Sequence, residues 1–335
     1  MRRLPTVTDV AAAAGVSRQT VSNALNSPDI VRPETRERVE RAVRELGYRP
    51  HASARRLRTR VSATIGVRLD PATDGMAGSL LDRFLHALVE RADELGLRVL
   101  LYTAPDEDAE IAVMDRLLEA ADVDALVLTS TRYGDRRIDW LTERDVRFVT
   151  FGRPWDTSGP ADAAHLWVDV DGSAGVGDAT RHLLGRGLRR IAFLGWPVGS
   201  GTGDDRRSGW RRAMRDAGAT DAELDALDLA VEEQPADGAV AGRLVAALDP
   251  APEAVVCASD SLALGARLAL GEQAMVVGYD DTPVARALGF SSVAQPLVEA
   301  AADVLDLLTS PPEPGEERHR LLAPSLVLRG AALER

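Results

Sequence analysis

The chain has 335 residues, 45% hydrophobic and 27% charged, a balance that fits a soluble protein of two or three domains. No apolar run is long enough to span a bilayer, and the basic N-terminus lacks the continuous apolar stretch of a signal peptide. The net charge of -12 is unevenly placed: residues 1–60 hold 13 Arg against six acidic residues, so a local nucleic-acid footprint sits on an otherwise acidic protein.

From the N-terminus, Thr6 and Asp9 form a variant capping box before Val7, Val10, Ala11 and Ala14, whose spacing predicts one apolar helical face. Gly15 permits a left-handed turn, Val16 plugs the crossing, and Ser17 caps a second helix with Val21, Ala24 and Leu25 inward. Its opposite face carries Arg18, Gln19, Ser22, Asn23 and Asn26. Pro33 opens a third helix, with Val39, Ala42, Val43 and Leu46 as its apolar stripe before Gly47. Three short helices with a glycine turn describe a helix-turn-helix. Arg18 suits guanine, Gln19 suits adenine and Asn23 lies one turn on, while Thr20, Ser22 and Asn26 suit phosphate or sugar.

The run Thr6–Asn26, with Pro33–Val39 and Glu45–Pro50, resembles the head of the LacI family. Arg32 departs from it, standing where the family usually has a capping Ser. The segment His51–Leu57 matches the family's hinge helix. The resemblance implies that two hinge helices pair in a dimer and enter the minor groove. Leu57 would then wedge between base steps, with Ala54 and Arg55 lining the groove.

From Thr64 onward strands alternate with amphipathic helices. Strands are expected at Thr64–Arg68, Arg98–Tyr102, Ala125–Thr129, Phe148–Phe151, Arg190–Leu194, Ala254–Ala258 and Met275–Gly278. Leu80–Leu95, Ala174–Leu184, Arg207–Ala217 and Leu262–Leu270 are expected helices, so the class is α/β with parallel sheets and a ligand beyond the strands' carboxyl ends. The motifs Val168–Asp171, His182–Leu194, Arg206–Trp210, Ala258–Gly265, Val277–Thr282 and Ser291–Pro296 resemble the family's sensor, which is similar to periplasmic sugar-binding proteins. That resemblance implies two subdomains, about 61–160 with 291–320 and about 161–290 with 321–335, and three crossings between them. With a head over 1–50 and a hinge over 51–60, residues 61–335 form an effector-binding and dimerisation domain.

By matching position, the resemblance puts Asp70, Arg206, Asp260, Asp280 and Gln295 at an effector cleft. Arg153 joins them by its place after a strand, and Trp196, at a strand end, suits the apolar face of a sugar ring. Carboxylates and a guanidinium are what buried hydroxyls need as partners. The connection Ala269–Met275 is shorter than usual for the family and Gly199–Gly203 richer in glycine, so both bear on effector choice.

No P-loop follows Gly199–Gly203, and the five histidines show neither metal-ligand pairing nor a Ser/His/Asp pattern. Cys257, between Val256 and Ala258, is the only cysteine and reads as a small core residue of a protein in a reducing cytoplasm. The expectation is therefore not an enzyme and no cofactor. It is a homodimeric repressor of carbohydrate-metabolism genes, binding double-stranded operator DNA and a small-molecule effector, with no membrane partner. The chain ends at Arg335 without a leucine heptad tail, which favours a dimer over a tetramer. The alternatives are a purine- or nucleoside-responsive regulator and a transport-type sugar-binding protein.

Overall fold

The computed structural model describes residues 5–26, 28–48, 62–69, 77–156, 165–271, 274–313 and 317–330. The chain divides into two compact units, Met1–Ser62 and Ala63–Arg335. Ala54, Arg55 and Leu57 of the expected hinge, and Asp70 at the end of the first strand, lie outside the described residues.

In the first unit, α1 (Val7–Ala14), α2 (Arg18–Asn26) and α3 (Pro33–Leu46) enclose Val10, Ala11, Ala14, Val21, Ala24, Val39 and Ala42. The capping box at the start of α1 is complete: Asp9 accepts from the Thr6 amide at 2.8 Å while the Thr6 side chain accepts from the Asp9 amide. Gly15 ends the helix at φ 62°, a conformation that costs a residue with a Cβ, and α2 starts three residues on. Arg32 makes no side-chain cap for α3, as expected where the family's Ser is replaced. Leu46 corrects the expected stripe: it is 38% exposed, because a core this small is already closed by Val39, Ala42, Val43 and Tyr48.

The second unit holds two six-stranded sheets. The first runs β11-β5-β4-β3-β1-β2, all parallel, from β1 (Thr64–Arg68), β2 (Arg98–Tyr102), β3 (Ala125–Leu128), β4 (Phe148–Phe151), β5 (Leu166–Val170) and β11 (His319–Leu322). The second runs β12-β10-β9-β8-β6-β7, from β6 (Ile191–Gly195), β7 (Asp228–Ala230), β8 (Ala254–Cys257), β9 (Met275–Tyr279), β10 (Ser291–Ala294) and β12 (Ser325–Val327). Only its edge strand β12 is antiparallel to its neighbour. Helices α4 (Ala77–Glu94), α5 (Glu107–Glu119), α6 (Arg136–Glu143) and α13 (Leu297–Thr309) belong to the first lobe. Helices α7 (Gly172–Gly185), α8 (Gly201–Asp216), α9 (Asp221–Leu227), α10 (Pro235–Ala246), α11 (Asp260–Leu270) and α12 (Pro283–Leu288) belong to the second.

The chain passes between lobes three times, after β5, after β10 and after β11. The first two crossings correct the expected boundaries near 160 and 290 by one strand each: β5 pairs with β4, and β10 pairs with β9. Each lobe has its own apolar core, one around Phe84, Val127 and Leu305, the other around Phe193, Trp210 and Val256. Cys257 is wholly buried in β8, and burial pushes its thiol up.

Asp260, the first residue of α11, ties the second lobe together. Its Oδ2 accepts from the Thr282 amide at 2.7 Å and the Thr282 hydroxyl at 2.8 Å. Its Oδ1 accepts from the Ser292 hydroxyl at 2.7 Å, and Ser292 Oγ accepts from the Asp281 amide at 3.0 Å. This clamp holds the turn after β9, where Asp280 and Asp281 have φ of 102° and 46°. Side chains other than glycine resist such backbone unless the surroundings impose it. Asp260 is fully buried, and burial together with the Asp280 charge pushes its carboxyl up to about 7.

The lobes touch through close packing as well. A Cβ added at Gly201, in the first turn of α8, would fall inside the Trp155 indole of the other lobe. Only glycine lets the ring lie on that helix end.

Two outcomes are expected. Gly201→Ala should lower stability by about 1–3 kcal/mol in urea unfolding, and the same change made in a Trp155→Ala background should cost little. The folded Asp260 keeps its proton to about 7 where the unfolded chain releases it near 3.8. Its contribution is therefore full below the lower value and lost as pH rises through the upper one. Urea midpoints of the wild type should decline relative to Asp260→Asn over that window.

Candidate functional site

The exposed side of α2 is the polar face of the head. Ser17 Oγ accepts from the Thr20 amide at 3.0 Å and meets Thr20 Oγ1 at 2.9 Å, so both hydroxyls are set at the helix start. Arg18 and Gln19 are exposed, and Ser22 and Asn23 are half-buried beside them. Gln19 Nε2 donates to Asn23 Oδ1 at 2.9 Å, which joins two amide side chains one turn apart. Asn26 closes the helix. The sequence-predicted residues Arg18, Gln19, Thr20, Ser22 and Asn23 thus fall on one short helix, with Ser17 just before it, and Thr6 serves the cap of α1.

In the second unit, the carboxyl ends of the two sheets bound a cavity of about 440 Å³. The first lobe supplies Thr129–Thr131 after β3, Phe151 and Gly152 at β4, Trp155 beyond it, and Asp169 of β5, with Leu80 and Leu81 of α4. The second supplies Trp196 after β6, Glu233 after β7, Asp280 after β9, Gln295 after β10, and Asp205 and Arg206 of α8.

Four sequence-predicted residues meet here: Trp196, Arg206, Asp280 and Gln295. Gln295 Nε2 donates to Asp280 Oδ1 at 2.7 Å, and Arg206 approaches the same oxygen at 3.7 Å. Arg206 donates to the Ala258 carbonyl at 2.5 Å and lies 3.7 Å over the Tyr279 ring, yet its buried Nε has no hydrogen-bond partner among the described residues. The Trp196 indole N–H donates to Glu233. Burial pushes the carboxyls of Asp280, Glu233 and Asp205 up, with Arg206 opposing at Asp280 and Arg153 at Asp205.

Asp260 and Arg153 do not line the cavity. Asp260 lies behind it with both oxygens committed to Thr282 and Ser292. Arg153 stands at the rim, donating to Asp169 at 2.6 Å and to Asp205 at 3.4 Å across the cleft. Asp169, Asp205, Glu233 and Trp155 are lining residues that the sequence reading missed. The end of β5 was a usable signal for Asp169, since ligands collect at strand carboxyl ends.

A buried ionic group shapes the first-lobe wall. Arg137 is fully buried, pairs with Asp135 at 2.6 Å and Glu110 at 3.0 Å, and donates to the carbonyls of Thr129 and Ser130 at 3.1 and 3.3 Å. Thr131, the next residue, receives the Trp155 indole N–H at 3.2 Å. Among the described residues, no group of three His, Cys, Asp or Glu could hold a metal ion, and no helix is long and apolar enough to cross a membrane.

Comparison with known proteins converges on one family. The model "Bacterial regulatory proteins, lacI family" matches residues 6–51, and "Periplasmic binding proteins and sugar binding domain of LacI family" matches residues 79–310. The HTH-type transcriptional regulator CelR of Thermobifida fusca is 36% identical over 299 residues, 85% of this chain and 84% of its own. The structure of the Lac repressor dimer bound to operator and the anti-inducer ONPF is similar with a TM-score of 0.82 and 25% identity, over 99% of this chain and 100% of that one. A transcriptional regulator CelR–cellobiose complex is similar at a TM-score of 0.69 and 30% identity, over 97% and 99%. With a family model spanning well over half its length and a relative at this identity, the chain belongs to the LacI family of bacterial regulatory proteins.

Proposed function

We propose that this protein is a cytoplasmic repressor of carbohydrate-metabolism genes, a homodimer that binds operator DNA and releases or grips it according to a sugar held in the cavity. It is a regulator and not an enzyme. Residues 1–50 read DNA, 51–60 form the hinge, and 61–335 bind the effector and dimerise. The observation that carries the reading is the Gln295–Asp280–Arg206 group facing Trp196 and Trp155 at the sheets' carboxyl ends. Polar groups that accept and donate, set between aromatic walls, fit a ring with hydroxyls at its edge and C–H groups on its faces. The CelR–cellobiose and operator-bound Lac repressor relatives support both halves of it.

In the head, Arg18 takes a guanine edge, Gln19 and Asn23 take neighbouring base edges, and Thr6, Ser17, Thr20, Ser22 and Asn26 position the helix on the backbone. In the cavity, Asp280 and Gln295 take sugar hydroxyls, Arg206 donates to ring or hydroxyl oxygens, and Trp196 stacks. Asp260 and Arg153 orient those residues from behind and from the rim.

Coupling needs two lobe arrangements that bind the sugar unequally. Contacts across the cleft include Arg153–Asp205 and the donation of Arg83, on α4, to the carbonyls of Asp280 and Asp281 at 3.1 and 3.4 Å. Arg83 thus links the first lobe to the turn that presents Asp280, so filling the cavity and holding the lobes together are one event.

Fluorescence anisotropy on the protein's own promoter duplex should show Arg18→Ala weakening binding by about 1–3 kcal/mol and relaxing the preference for guanine at the contacted position. A fragment covering residues 63–335 should lose specific DNA binding and keep ligand-induced thermal stabilisation. Specific operator binding by that fragment would overturn the reading. Arg83→Ala should raise the sugar concentration that half-shifts operator affinity, read in the same anisotropy titration.

A further inference from the structure

The ionisable groups that line the cavity are mostly carboxylates. Glu233 Oε2 receives the Trp196 indole N–H, while Oε1 is buried with no hydrogen-bond partner among the described residues. Asp280 is 6% exposed, and Gln295 and Arg206 both address its Oδ1, so no described residue donates to Oδ2. Asp205 takes the Ser173 amide and Arg153 on Oδ2 alone. On the donor side stand Arg206, 5% exposed, and Thr129, whose Nε and Oγ1 have no hydrogen-bond partner among the described residues.

Charge leans the same way. Asp169, Asp205, Glu233 and Asp280 line the cavity against Arg206, with Arg153 at the rim already paired to Asp169 and Asp205. A phosphate or carboxylate brings only acceptors and more negative charge. Hydroxyls and ammonium groups bring donors. Out of bulk water these carboxylates repel a further negative charge strongly, so a ligand without one is favoured.

We propose that the cavity selects an unphosphorylated, non-acidic sugar, neutral or carrying an amine, and that Glu233 with Asp205 sets this selection against sugar phosphates and sugar acids. The inference rests on the reading of the cavity as a sugar site. Glu233 acts as the discriminator because its carboxylate stands on the cavity wall beside the stacking indole. Asp205 repeats the effect on the neighbouring helix. Arg206 and the lining hydroxyls supply the donors for the ligand's acceptors.

The test is a thermal-shift and calorimetric series on the full chain. The probes are glucose, galactose and cellobiose, with glucosamine, glucose 6-phosphate, galactose 6-phosphate and galacturonate beside them. A neutral or amino member should bind, and its phosphate or acid counterpart should bind on the order of a hundredfold more weakly. Glu233→Gln keeps the side chain's size and an acceptor for Trp196. It should narrow that gap about tenfold or more, whereas Glu94→Gln on the exposed end of α4 should leave it unchanged. A phosphorylated or acidic member that binds more tightly than its neutral parent would overturn the proposal while leaving the sugar reading intact. An unchanged gap in Glu233→Gln would remove Glu233 from the role. Silence across the whole series would overturn the proposal and the sugar reading together.

Discussion

The second lobe hangs on one carboxyl group. Asp260 gathers donors from Thr282 and Ser292, and through Ser292 also the Asp281 amide, so the ends of β9 and β10 cannot move apart. Between them lies backbone with positive φ at Asp280 and Asp281, which would relax if released. The cavity residues Asp280 and Gln295 are the two ends of that clamped stretch, and their mutual hydrogen bond is a consequence of it. Removing Asp260 therefore acts on the site without touching anything that enters it.

Around this clamp, both lobes obey the same geometry. Parallel strands all point their carboxyl ends one way, and the chain's three passages let the two sheets present those ends to each other. The low dielectric between them magnifies each charge, which is why burial raises the carboxyls of Asp205, Glu233 and Asp280 together. Arg137 performs in the first lobe what Asp260 performs in the second. It pins the carbonyls of Thr129 and Ser130 by a fully buried guanidinium whose charge is met by Asp135 and Glu110.

Much of this was legible from the residues alone. The head was readable because period, cap and turn agree from Thr6 to Leu25, and only Leu46 departed, where a small core runs out. Seven strands were readable, but β5 and β10 were seen only as motifs, β7 and β12 span three residues each, and the half-buried β11 carries no clean pattern. Arg206, Asp280 and Gln295 were placed by the resemblance to the family's sensor, Asp280 also because it follows a strand. Glu233 follows the short β7 and so carried no such signal. Arg83 and Asp280 are 197 positions apart, and the fit of Trp155 onto Gly201 joins different lobes. Pairings of that kind belong to tertiary packing, which local pattern does not encode.

Cys257 offers a different use of the same architecture. It is the chain's only sulfhydryl, it closes β8, and the next residue's carbonyl receives Arg206. A reagent in solution reaches it only when the sheet behind the cavity breathes open. The sulfur is thus a natural stopwatch: the pace of its alkylation counts excursions of this sheet, and occupancy at the strand tips would slow the count without any engineered label.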